Sequence, residues 1–194
     1  MYNSVFFHTV LAFLAIMSDN LTMQLRGDAN NKKVILTPQI LEIKKRIEGG
    51  GTIDLIDATT QRVDGICTFD KNTLETGRAV VFDEISLGYR SHADMGKEGA
   101  LAYNISLPAE LQNATLIISQ NGKEVLRMPA IDITNLTAGQ NASDQYTKLK
   151  SLILLADAKT ITIQLKFAPG VTLAAGTNHY VYLRLSGLQT ALKS

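Results

Sequence analysis

Tryptophan is absent from the chain, cysteine occurs once, proline four times, and only 6% of the 194 residues are aromatic. Each shortage excludes something. A single cysteine, Cys67, allows neither an intramolecular disulfide nor a cysteine-based zinc site. Within Gly65-Ile-Cys-Thr-Phe69 it reads as a small buried apolar residue. Without tryptophan there is no indole platform for a sugar ring. Net charge is missing too: 19 basic and 18 acidic residues leave a formal +1, so no global basic field attracts nucleic acid.

Residues that could carry chemistry are present but lack context. His8, His92 and His179 are scattered. Ser91-His-Ala-Asp94 holds three triad residue types, yet a triad is assembled in space rather than from near neighbours in the chain. Asp54, Asp57, Asp64 and Asp70 do not have the spacing of an EF-hand loop and read as solvated turn carboxylates. Gly49-Gly-Gly51 lacks the Lys-Ser/Thr of a phosphate loop and reads as a hinge. Asp83 and Glu84 are adjacent on a strand, so they point to opposite faces and make a poor catalytic dyad. The expectation is a protein with no catalytic residues, no metal site and no cofactor.

The chain divides at a polar stretch, Asp28 to Lys33. Residues 1–33 form an apolar arm or signal-like segment with its linker, and residues 34–194 a single β domain. Val5 to Met17 is the most apolar run, too short for an ordinary spanning helix. Three readings stay open: a signal or anchor able to touch a membrane, a helix that docks on a partner, or an extension upstream of a true start at Met17.

The strongest local signal is Asn121-Gly122 between two β-prone runs. A type I′ turn needs φ > 0 at both central residues, which suits this pair. Such a turn sets Gln120 against Lys123, Ser119 against Glu124, Ile118 against Val125 and Ile117 against Leu126. Apolar pairs then meet on both faces, so the hairpin is expected to be central and covered. Thr160 to Phe167 alternates, with Ile161, Ile163, Leu165 and Phe167 inward; His179 to Leu185 does the same with Val181, Leu183 and Leu185. Ala79 to Arg90 reads as a sheet-edge strand whose phase slips at Asp83-Glu84, as at a β-bulge. Ala100 to Leu107 reads as a further strand, followed by one helical turn at Pro108 to Leu111.

Two short helices are expected. One opens at Thr37-Pro38 and carries Ile40, Ile43 and Ile47 on one face. Its last turns hold Lys44, Lys45 and Arg46, which either complement the helix dipole or contact phosphate or nucleic acid. The other is capped by Ser143-Asp144 and presents Tyr146, Leu149, Leu152, Ile153 and Ala156. Strand follows strand without a βαβ rhythm, so the fold class is mostly β, an antiparallel β-sandwich or jelly roll. Five N-x-S/T sequons, at Asn20, Asn104, Asn113, Asn135 and Asn141, read as incidental to an Asn- and Thr-rich β protein.

Ala114 to Pro129, Tyr146 to Leu152, Ile161 to Phe167 and the closing Leu185-Ser-Gly-Leu-Gln189 resemble small jelly-roll virion proteins of bacteriophages. The resemblance covers roughly the C-terminal half and is one of strands and turns. It implies a capsid or capsid-associated subunit of the virion that works by self-association, alone or with other virion proteins. The flat outer face expected from Tyr180, Tyr182, Thr160 and Thr162 would be the subunit contact. The alternative is a secreted or cell-surface adhesion or carbohydrate-binding module.

Overall fold

The computed structural model describes residues 4–31, 33–134 and 145–191. Eight strands carry the fold: β1 (Ile35–Ile47), β2 (Thr52–Asp54), β3 (Val80–His92), β4 (Thr115–Gln120), β5 (Lys123–Pro129), β6 (Thr147–Leu155), β7 (Ile161–Lys166) and β8 (Asn178–Ala191). Among the described residues three short α-helices accompany them: α1 (Ser4–Ile16), α2 (Met23–Asn30) and α3 (Ala109–Gln112).

Asn121-Gly122 is the tip of one long ribbon. Asn121 and Gly122 have φ of 49° and 74°, the left-handed values that a type I′ turn requires. From this tip the chain doubles back on itself: β4 pairs with β5, β3 with β6, β2 with β7 and β1 with β8, all antiparallel. The ribbon is folded over, adding β3–β8 and β4–β7 contacts. Two four-stranded sheets result, in the orders β1-β8-β3-β6 and β2-β7-β4-β5. They face each other as a β-sandwich. Between them lies the main core, including Leu41, Ile43, Phe82, Leu87, Ile118, Ile163, Leu165, Val181 and Leu183.

A second, smaller core lies on the outer face of the β1-β8-β3-β6 sheet. Val10, Leu14, Leu25 and Ala29 of the two N-terminal helices pack there with Leu36, Val81, Leu154 and Leu188. The apolar N-terminal run is therefore docked on the domain. Asp157 fastens it: the carboxylate is 1% exposed and accepts hydrogen bonds from the Thr22 backbone N–H (3.1 Å), the Thr22 hydroxyl (2.5 Å) and the Gly77 N–H (2.7 Å). Thr22 is the residue preceding α2.

This second core explains two corrections. Residues 37–47 are not a helix but most of β1, and 147–155 are not a helix but β6. β6 is apolar on both faces, and β1 adds Leu36 and Ile40 on its outer face to its apolar inner one. Leu41, Ile43 and Ile47 of β1 face the main core while Leu36 faces the helices. On β6 Leu149, Ile153 and Leu155 face one way, Leu152 and Leu154 the other. A strand loaded on both sides imitates a helical spacing. The Ser143-Asp144 cap lies outside the described residues.

Three further readings change. Ala100 to Leu107 forms no strand; it crosses the sheet as a loop, with Tyr103 seated on Gly88, where a Cβ would stand 2.8 Å from the tyrosine backbone oxygen. The hairpin register holds at Gln120–Lys123 and Ser119–Glu124, then slips: Ile118 faces Leu126 and Ile117 faces Arg127. Val125 is the extra residue, making a bulge in β5. The slip at Asp83 is real, with Val80 and Phe82 before it and Ile85, Leu87 and Tyr89 after it all in the main core. It sits in a central strand, not at an edge. Gly187 opposes Phe82 there, and a Cβ on it would lie 2.1 Å from the Val81 carbonyl oxygen.

The two regularly alternating strands, β7 and β8, are interior. The true edges are β1, β6, β2 and β5, and each is blunted in a manner that discourages strand addition. Pro38 removes a donor from β1, the Gln39 side chain covers the Ile40 carbonyl, and residues 66–68 bond to Glu42 and Lys44. β2 has three residues. β5 carries the Val125 bulge and the exposed Glu124–Arg127 ion pair. β6 breaks register with β3 between Lys148 and Ile153 and exposes Lys148 and Lys150.

Candidate functional site

The expected site residues do not come together as one surface. Thr160 and Thr162 belong to the sheet of β7, whereas Tyr180 and Tyr182 belong to the opposite sheet. Tyr180 is fully buried, and its hydroxyl donates to the Asp94 carbonyl at 2.8 Å. The basic triplet is on a strand, so its side chains alternate. Lys45 donates to the Asp54 carbonyl (2.9 Å) near Asp57. Arg46 donates to Asn178 Oδ1 (3.0 Å) and pairs with Glu48. Lys44 alone joins Tyr182.

That meeting is part of a polar strip across the outer face, between the docked helices and the 93–107 loop. Three rows build it: Lys44–Tyr182–Gly88, Glu42–Arg184–Ser86 and Ile40–Ser186–Glu84. Lys44 Nζ lies 4.8 Å from the centre of the Tyr182 ring and 5.8 Å from that of Tyr103. The Arg184 guanidinium is 5.0 Å from Tyr182 and 4.8 Å from Tyr146. Cations and rings thus alternate, each contact of the kind that stabilises by about 0.5–2 kcal/mol. Arg184 also donates to Gln145 (3.2 Å) and Ser86 (3.1 Å), while its Nε has no hydrogen-bond partner among the described residues. The Tyr182 hydroxyl donates to Glu42, and the Ser186 hydroxyl to Glu84. Burial, then the Glu42 carboxylate, pushes the Tyr182 phenol well above its usual range. The Tyr182 ring is thus covered by its own neighbours Lys44 and Arg184. The strip packs the outer face of the sheet.

An open cleft of about 800 Å3 lies at the end of the sandwich beside β1, lined by Gln39, Gln61, Arg62, Lys71, Arg78 and Gln189 over Leu41 and Phe69. Asp70 and Glu75 share it, and Glu75 pairs with Arg78 at 3.1 Å. The lining holds no histidine, serine or cysteine. Cys67 is buried nearby, and burial pushes its thiol up. His92 accepts from the Asp94 N–H (3.0 Å) in an exposed turn. His179 is buried between the Tyr89 hydroxyl (2.5 Å from Nδ1) and the Ala174 carbonyl (2.9 Å), to which its Nε2–H donates. Among the described residues no three His, Cys, Asp or Glu side chains cluster to hold a metal ion.

The third surface is α1 itself. It has no charged residue. Its inner side is buried, yet Val5 is 65% and Ile16 79% exposed, with Met23 of α2 at 89% close by in the chain. Its outer side carries Val5, His8, Thr9, Ala12 and Ile16 and no Lys, Arg, Asp or Glu, while its inner side is seated on the domain. Among the described residues no helix is long and apolar enough to cross a membrane. The missing signal for this docking was that Val81, Leu154 and Leu188, far apart in sequence, form the helix's seat on the outer face.

Fold and surfaces together define a two-layer antiparallel β-sandwich capped by a helical pair. No protein-family model matches the chain, and no curated protein sequence matches it.

Proposed function

We propose that the protein is a non-enzymatic structural subunit that associates with copies of itself, in a shell of the bacteriophage capsid type. The observation that carries this reading is the winding. One ribbon tipped by Asn121-Gly122 is folded into sheets of order β1-β8-β3-β6 and β2-β7-β4-β5, which we read as an eight-stranded jelly roll. That architecture serves in viral capsids and in lectin-type binding domains. Two features favour the shell over a secreted adhesion or carbohydrate-binding module. The tyrosines that a sugar would stack on are covered or occupied by Lys44 and Arg184. The uncharged outer side of α1 is a surface that suits burial against protein rather than open water. The dispersal of Lys44, Lys45 and Arg46 weighs against nucleic acid as the main partner.

Electron microscopy of the purified full chain tests the reading. Closed or lattice-like particles of uniform size are expected. A dispersed monomer that is stabilised thermally by one class of saccharide would instead favour the binding module.

A further inference from the structure

We infer that α1 is a contact between two copies of this chain, packed antiparallel helix to helix; this rests on the self-association proposed above and names the surface that performs it. The exposed positions of α1 are Val5, His8, Thr9, Ala12 and Ile16. Four of them, Val5, Thr9, Ala12 and Ile16, follow each other at steps of four, three and four residues. That is the spacing of a helix–helix seam. The stripe is also symmetric about its middle: large, small, small, large. Turned antiparallel about a two-fold axis between Thr9 and Ala12, it meets itself with Val5 against Ile16 and Thr9 against Ala12 of the second copy. Such a self-complementary patch is what an isologous contact needs.

The side chains fit burial in that position. The Thr9 hydroxyl already donates to the Val5 carbonyl at 2.8 Å, so covering it strands no donor. Small residues at the centre let two helix axes come close. The bulky Phe6, Phe7, Leu11 and Phe13 are turned toward the domain and pack on its second core. A lipid-seeking helix would show the reverse, large apolar groups outward with a cationic rim. Here α1 carries no Lys or Arg, and the nearest one in the chain, Arg26, is paired with Asp19. The four sheet edges are blunted, and among the described residues α1 presents an apolar surface without Lys, Arg, Asp or Glu for a protein contact.

A 13-residue helix is about 20 Å long. A stripe of that length and one helix wide falls short of the roughly 800 Å2 per partner of a standard interface. The contact is therefore weak alone and effective when repeated with others, as in a shell.

The test uses the full chain. Sedimentation velocity over a concentration series should show reversible association that Ala12→Glu weakens by about tenfold or more, since it sets a carboxylate in a dry seam, with an unchanged circular-dichroism spectrum. Mixing Val5→Cys chains with Ile16→Cys chains under mild oxidation should give a cross-linked heterodimer. Val5→Cys alone should not cross-link, because the two copies of residue 5 would be eleven residues apart along the axis, about 16 Å, beyond disulfide reach. Cys67 is buried and contributes no background. Association that survives Ala12→Glu without the heterodimer overturns this contact and leaves the assembly reading standing. A wild-type chain that stays monomeric overturns both. Binding of a monomer to phosphatidylcholine vesicles that Ala12→Glu abolishes overturns the protein contact in favour of lipid.

Discussion

Asp157→Ala is expected to unfasten the helical pair before it harms the sandwich. The wild-type carboxylate uses both oxygens: Oδ1 accepts from the Thr22 N–H, and Oδ2 from the Thr22 hydroxyl and the Gly77 N–H. Removing it leaves up to three donors without an acceptor. A buried donor left unsatisfied costs about 1–3 kcal/mol. Thr22 is half-buried and regains water by local opening, so the total is expected at about 2–4 kcal/mol. For a chain of this size that lowers Tm by roughly 4–16 °C. Asparagine is not a repair. Its NH2 group would face either the Thr22 N–H or the Gly77 N–H, so Asp157→Asn should lose nearly as much. Hydrogen exchange read by mass spectrometry distinguishes local from global loss. Faster exchange is expected across Met23–Asn30 and around Gly77–Ala79, with β4 and β7 still protected. A variant within about 0.5 kcal/mol of wild type, or one whose exchange rises evenly over the whole chain, would refute the latch.

Other consequences follow from single positions. Gly122→Val meets no neighbour, since nothing lies within 4 Å of the added Cβ, so its cost is the strain of φ 74°, about 1–3 kcal/mol; an unchanged melting temperature would contradict the type I′ turn. Gly187→Ala drives a Cβ to 2.1 Å from the Val81 oxygen and 2.6 Å from the Phe82 Cα, both backbone; a loss of about 3 kcal/mol or more, or failure to fold, is expected, and a stable variant would disprove the close approach at the bulge. Asp83 is raised above its usual value by burial and then by Glu84, with Lys148 opposing from 3.8 Å. The unfolded chain therefore binds fewer protons across that interval, and stability falls as pH rises through it. Asp83→Asn should melt above wild type at neutral pH and lose that advantage below the usual carboxylate range; an equal gap at every pH would reject the burial argument.

Where one face of a strand meets one core, the alternation is legible. Ile161, Ile163, Leu165, Val181, Leu183 and Leu185 are inward as their spacing requires, and the phase slip at Asp83 marks a true bulge. The turn at Asn121-Gly122 is local chemistry and needs no tertiary context. Failures cluster where a second core intervenes. β6 carries apolar residues for both the sheet interior and the helical cap, and in β1 the outward Ile40 falls in with the inward Ile43 and Ile47, so superposed phases imitate a helix. The Val125 bulge shifted the hairpin register because an edge strand can absorb an extra residue without disturbing the core. Tyr180 and Tyr182 share a face, but the 93–107 loop buries the first and Lys44 and Arg184 flank the second. No spacing along the chain announces a loop that folds across a sheet. The role of α1 was legible only as apolarity: its seat on Val81, Leu154 and Leu188 depends on three strands brought together by the winding.

The most direct test of the central claim is the molar mass of the full chain by light scattering as its concentration is raised. Self-association predicts a mass that climbs from that of a single chain toward a discrete multiple, and that falls back on dilution. A mass fixed at one chain up to the limit of solubility would contradict it.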